Sequence, residues 1–137
     1  MIDHTDKAIL ALLKENSRRQ WKEIGETVHL TGQAVAARVQ AMLDRGVIEA
    51  FTLRVDSGKL GKPLRAFVTV FMASSDHSAF QRFLAGESRI TEAHRIGGDG
   101  CYWFSAELAT QEDLNQLLEQ VLRFGNYRIQ LSIGRIK

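Results

Sequence analysis

Gln33 and Gln40 lie seven residues apart, two turns of a helix, so their carboxamides share one face with Ala34, Ala37 and Ala41, and Asp44 closes the arc. A carboxamide can donate and accept at once on an adenine edge. Alanine methyls let a backbone come close to a base pair or touch a thymine methyl. With two amides and no arginine at its centre, this face supports only modest base discrimination. Arg38 sits on its flank, where a guanidinium suits a phosphate better than a base edge, and Arg18, Arg19, Lys22 and Arg45 can join it. Bland readings stand beside these: Arg38 as an ion pair with Glu26 or Asp44, and both glutamines as solvated helix residues.

A second cluster is Gly97-Gly98-Asp99-Gly100, followed by Cys101 and Tyr102. Such a run is most economically a tight turn between strands. Its amides can also form a nest for a carboxylate while Asp99 takes an amino group. Tyr102, Trp103 and Phe104 read as sheet core, one or two of them lining a pocket. Cys101, the single cysteine, reads as a small buried residue and rules out an internal disulfide or multi-cysteine zinc site. The four histidines lack metal-ligand spacing. No nucleophile or general base is recognisable, so no catalytic residue, metal or cofactor is expected.

The elements that must position these groups follow from periodicity. A first helix over residues 5–16 carries Ile9, Leu12 and Leu13 inward with Thr5 as N-cap, and Ile24 and Val28 mark a short second helix. The third spans 32–44, capped by Thr31, stopped by Gly46, with Val35, Val39, Met42 and Leu43 as its buried stripe. Trp21 reads as helix-packing material. Residues 47–55 read as the β-wing of a winged helix-turn-helix domain covering 1–55, and the breakers at 56–63, with the only proline, as a hinge. Beyond it come a strand (65–73), a helix (76–85), strands at 90–96 and 102–108, a helix (110–122) and a strand (127–133). This βαββαβ order predicts an α+β, ferredoxin-like sandwich over 64–137, with one sheet face left for another subunit.

Composition narrows the classes. No apolar run approaches the roughly 18 residues a membrane span needs, and the start, with its acids, does not read as a signal peptide, so a cytoplasmic protein with no membrane partner is expected. Each half carries nine Lys/Arg against eight Asp/Glu. Neither half is a general polyanion binder, so contact with double-stranded DNA would need local charge and several copies of the chain.

The opening acids with Ile9, Leu10 and Leu13, the ARVQAMLDRGVI run around Arg38, Gly46 and Ile48, and the GGDGCY loop together resemble the Lrp/AsnC (feast/famine) transcription regulators along nearly the whole chain. The resemblance implies DNA binding through the helix-turn-helix, homodimers built through the α/β domain and assembled to tetramers or octamers, and an amino-acid effector near residues 97–102. It implies a nucleoid-associated protein. Two positions depart from the family pattern. The loop usually reads Gly-Asp-x-Asp, but Cys101 stands in place of the second carboxylate, and His29 stands where the turn before the third helix often has glycine. Two other classes are weighed: an architectural DNA-bending protein without sensing, and a haem-pathway decarboxylase-like enzyme, whose histidine-bearing loop before the aromatic strand is missing here.

Overall fold

A computed structural model describes residues 1–137, which divide into two units, Met1–Arg54 and Val55–Lys137. In the first, helix α1 (His4–Glu15) starts from Asp3, not from Thr5 as its composition suggested. Asp3 accepts from the Asp6 amide at 2.8 Å, and Asp6 accepts from the Asp3 amide at 3.2 Å. This reciprocal pair satisfies two open N–H groups, which a threonine cap at position 5 would not do.

Helix α2 (Trp21–Val28) ends at His29, whose φ of 59° and ψ of 43° place it in the left-handed region, as a turn in that position requires. A Cβ on Gly25 would lie 2.3 Å from the Leu30 carbonyl oxygen, so only glycine lets the turn fold back on α2. Helix α3 (Gly32–Asp44) is capped by Thr31, whose hydroxyl oxygen accepts from the Ala34 amide at 3.1 Å. It closes on Gly46 (φ 71°): the Gly46 amide donates to Leu43 and the Val47 amide to Met42, the paired bonds of a glycine-terminated helix. Ile9, Leu13, Ile24, Val35, Val39 and Met42 form the core, with Trp21 and Leu43 packed at its margin. Burial of each aliphatic side chain contributes about 1.5–3 kcal/mol.

The wing expected at 47–55 is not a strand: the Val47 and Ile48 amides donate to the Met42 carbonyl at the end of α3, and the rest has no regular structure, with Phe51, Leu53 and Val55 exposed. Its composition suits a strand, but a strand needs a neighbouring row of backbone donors and acceptors, and the rest of this unit is helical. Next, in the segment expected as a hinge, Ser57–Leu60 forms a helical turn capped by Asp56. The Ser57 hydroxyl donates to Glu107, which also accepts from Arg65, tying this segment to the sheet of the second unit.

That sheet contains β1 (Leu64–Met72), β2 (Ile90–Arg95), β3 (Tyr102–Leu108) and β4 (Gly125–Leu131) in the order β2-β3-β1-β4, antiparallel throughout. Helices α4 (His77–Gly86) and α5 (Gln111–Leu122), capped by Asp76 and Thr110, cover one face. Beneath them Val68, Val70, Phe80, Phe104, Leu114, Leu117 and Val121 are fully shielded from solvent or nearly so. The period of two sends Phe67, Phe71 and Trp103 to the other face, where Phe67 and Trp103 stack with ring centroids 5.9 Å apart. Neither α4 nor α5 covers that face. The last strand ends at Leu131, earlier than its alternation suggested, leaving Ile133 exposed.

Candidate nucleic-acid interface and ligand loop

The outer face of α3 is what its buried stripe dictates. Val35, Val39 and Met42 face the core, while Gln33, Ala37, Gln40, Ala41 and Asp44 are exposed and Ala34 is half-buried. Thr31 fixes the start of the helix and so the heading of Gln33. The Gln40 amide donates to the Asp44 carboxylate at 2.9 Å, so it must leave an intrahelical partner before it can meet a base.

Of the basic residues expected to flank this face, Arg18 and Lys22 are exposed and hold no ion pair. Arg45 donates to the Met1 carbonyl at 3.3 Å, and Arg19 pairs with Glu15 one helical turn back. Arg38 is differently placed. Its Nη1 donates to Asp3 at 2.7 Å and to Asp6 at 3.0 Å, the two acids that cap α1. The structural salt bridge weighed from sequence is therefore present, with Asp3 and Asp6 in place of Glu26 or Asp44. The guanidinium hydrogen bond holds the Asp3 carboxyl below the usual carboxylate range, and the same bond raises Arg38 further above its ordinary value. Asp6 is buried, so Arg38 is the neutralising partner of an enclosed carboxylate and ties α3 to the start of α1. The Asp3/Asp6 spacing signals the capping box and its two carboxylates, but not the arginine that meets them.

The loop from Gly97 to Cys101 joins β2 to β3. Gly98 and Gly100 have φ values of 95° and 100°, and a Cβ on Gly100 would lie 2.5 Å from the Thr69 methyl. The Cys101 amide donates to the Val70 carbonyl at 2.8 Å and its carbonyl accepts from Ile96, so the turn is pinned to β1. Cys101 itself is half-buried. Asp99 projects outward and accepts from Arg128 Nη1 of β4 at 2.9 Å. Tyr102, grouped with the loop by sequence, turns to the helix-covered side. It is 1% exposed, and its hydroxyl meets His77 Nδ1 at 2.9 Å and the Gln81 amide at 3.0 Å. The structure thus separates Asp99 from Tyr102 and adds Arg128, which sequence reasoning missed because it lies 29 positions beyond Asp99.

A helix-turn-helix whose outer face is free, followed by an α/β sandwich with an exposed glycine loop, defines a two-part DNA-binding transcription regulator. Residues 2–43 match the AsnC-type helix-turn-helix domain and residues 65–137 the Lrp/AsnC ligand binding domain. The chain belongs to the Lrp/AsnC family. It is 46% identical over 136 residues to the transcriptional regulator LrpB of Bacillus subtilis, covering 99% of this chain and 91% of that one. Among solved structures it superposes on Bacillus subtilis LrpC with a TM-score of 0.91 at 25% identity, covering 100% of this chain and 98% of that one. The fold is also that of the Neisseria meningitidis regulator NMB0573, solved as an L-Met complex (TM-score 0.89, 20% identity, 100% and 93% covered). These relatives are regulators, and neither the decarboxylase nor the architectural reading is favoured. No helix is long and apolar enough to cross a membrane.

Proposed function

We propose that this regulator works in the cytoplasm, on the nucleoid, as a homodimer that assembles further to a tetramer or octamer, and that its second unit responds to a free amino acid. Residues 1–55 act as the DNA head, with 56–63 joining it to residues 64–137 for assembly and ligand binding. The carrying observation is the α3 surface: an apolar stripe of Val35, Val39 and Met42 fixes the helix from behind and leaves a small, almost uncharged face free. Gln33 and Gln40 meet base edges, Ala34 and Ala37 allow the approach, and Thr31 orients the helix start. Arg18, Lys22 and Arg45 meet phosphates. Arg38 contributes chiefly through its hold on Asp3 and Asp6.

A head of this kind reads sequence lightly and gains affinity when several copies act on one duplex. The uncovered sheet face with Phe67, Phe71 and Trp103 is the surface for the second copy, and the L-Met complex of a protein with this fold supports an amino acid as the ligand class. The test is genome-wide binding with and without each amino acid, paired with titration of one bound duplex at several salt concentrations. Occupancy that shifts with an amino acid and a steep salt slope from an oligomer are expected. Binding of one duplex by a monomer with little salt dependence would sink the reading.

A further inference from the structure

Tyr102 stands at the joint between the glycine loop and the helix-covered side of the sheet. Its ring is buried and packs edge-on against Phe80, with 4.9 Å between centroids. Its hydroxyl has two neighbours, both on α4: the Gln81 side-chain amide at 3.0 Å and His77 Nδ1 at 2.9 Å. These two neighbours play different parts. Gln81 donates an N–H to the phenol oxygen, and the phenol has one proton of its own, so that proton goes to the remaining neighbour, Nδ1. Nδ1 must then be bare, which makes His77 a neutral imidazole with its proton on Nε2.

We infer that His77 is an acid-sensitive positioning residue for the loop, acting through Tyr102. Histidine is the side chain that changes charge between about pH 5 and 8. A proton taken from water at Nδ1 turns the acceptor into a donor, so the phenol oxygen meets donors from both sides and its own proton has no acceptor. In a site closed to water such an unmet donor is costly, and the phenol shifts to relieve it. The shift reaches the loop directly. Cys101 is the residue before Tyr102, its amide is fastened to the Val70 carbonyl at 2.8 Å, and Gly100 lies so close to the Thr69 methyl that a Cβ would not fit. The charged groups on the elements around His77 are Asp76 and Arg82 on α4 and Arg95 on β2, while β1 and the turn after α5 bring the apolar Val70 and Phe124 to this core. Asp76 is engaged by the Ala79 amide at 3.0 Å, Arg95 lies 6.0 Å from the centre of the Tyr102 ring, and none of the three pairs with His77.

The test is an NMR titration of the full-length protein, carrying ¹⁵N in histidine and glycine, from about pH 8 to about pH 5, as wild type, His77→Asn and Tyr102→Phe. Asparagine at 77 offers an oxygen acceptor and cannot gain charge. Phenylalanine at 102 keeps the packed ring and removes the hydroxyl, and circular dichroism verifies that both variants fold. At the alkaline end the wild-type His77 ring should carry its proton on Nε2 with Nδ1 bare. As pH falls, the amide shifts of Gly97, Gly98 and Gly100 should move along the same curve as the His77 ring. His77→Asn should lose that shared movement, and Tyr102→Phe should lose it while its His77 ring still titrates. His94, the other histidine of this sheet, is kept in both variants, so its share subtracts out. Glycine movements that are the same in wild type and both variants, or a proton on Nδ1 at the alkaline end, would overturn the inference. No ligand enters the titration, so its outcome is independent of the amino-acid reading above.

Discussion

Two arginines, one in each unit, are paired with aspartate, and they differ in what they are free to do. Arg38 in the first unit is 35% exposed and lies between two acids, one of them only 10% exposed, whereas Arg128 in the second is 72% exposed and faces a single acid that is 75% exposed. An enclosed carboxylate cannot lose its partner without an uncompensated charge, so Arg38 belongs to the architecture. The exposed pair has no such obligation. In the DNA head, charge fixes the helix and uncharged side chains face outward. In the second unit, apolar packing fixes the sheet and the ion pair is left exposed at its edge.

Phe104→Ala is expected to give the largest effect and tests whether the two units stand on separate cores. Phe104 is fully buried under α4 and α5, and its loss should cost about 3–5 kcal/mol. Scanning calorimetry should show the transition of the second unit falling while that of the first holds. A single transition that moves as a whole would break the comparison.

Gly100→Val should come next. A side chain there meets the Thr69 methyl and a φ of 100°, a combination costing about 1–3 kcal/mol in backbone strain besides the clash. The loop must move, and with it Asp99. Breakage of the Asp99–Arg128 ion pair, read by NMR of the Arg128 guanidinium, should accompany a modest fall in the melting temperature of the second unit only.

Arg38→Gln sharpens the contrast in the head. It should lower the head's thermal stability and weaken binding to every duplex alike, with the salt slope unchanged. Lys22→Ala should instead lower that slope by about one unit, because one phosphate is then no longer neutralised. Acid gives the same answer by another route. Arg38 depresses the folded Asp3 below its ordinary value of 3.8. The stability this contributes is fully present above about that pH and lost as pH falls through the lowered value. Acid titration by near-ultraviolet circular dichroism should therefore show wild type losing an increment below pH 3.8 that Arg38→Gln lacks.

What could be read in advance depended on how local its cause was. Helix α3 could be bounded because Thr31 and Gly46 sit at its ends, and the βαββαβ order because period and breakers alternate visibly along residues 65–133. The head's first cap was misplaced by composition alone: threonine outranks nothing when two aspartates three apart can satisfy each other. The strand at 47–55 failed because pairing is not a property of one segment. Both arginine pairs were out of reach for the same reason. Asp3 and Asp6 lie 35 and 32 residues from Arg38, and only the packing of α1 against α3 joins them. Arg128 reaches Asp99 only because β4 runs beside β1, against which the loop is pinned.

The smallest expected effect falls on the uncharged face itself and bears most directly on the contrast. Asp44 holds the Gln40 amide at 2.9 Å and places one negative charge on the surface proposed to meet DNA. Asp44→Ala should free Gln40, remove a repulsion from the phosphates and raise affinity a few-fold, with the larger gain on duplexes that offer adenine at the contacted position. Gln40→Ala in the same background should remove the sequence-dependent share and leave the uniform one. Fluorescence anisotropy on matched duplexes that differ in one base pair separates the two shares. If Asp44→Ala weakened binding instead, the head would depend on charge arranged along α3, and the contrast between a neutral outer face and an exposed ion pair would not hold.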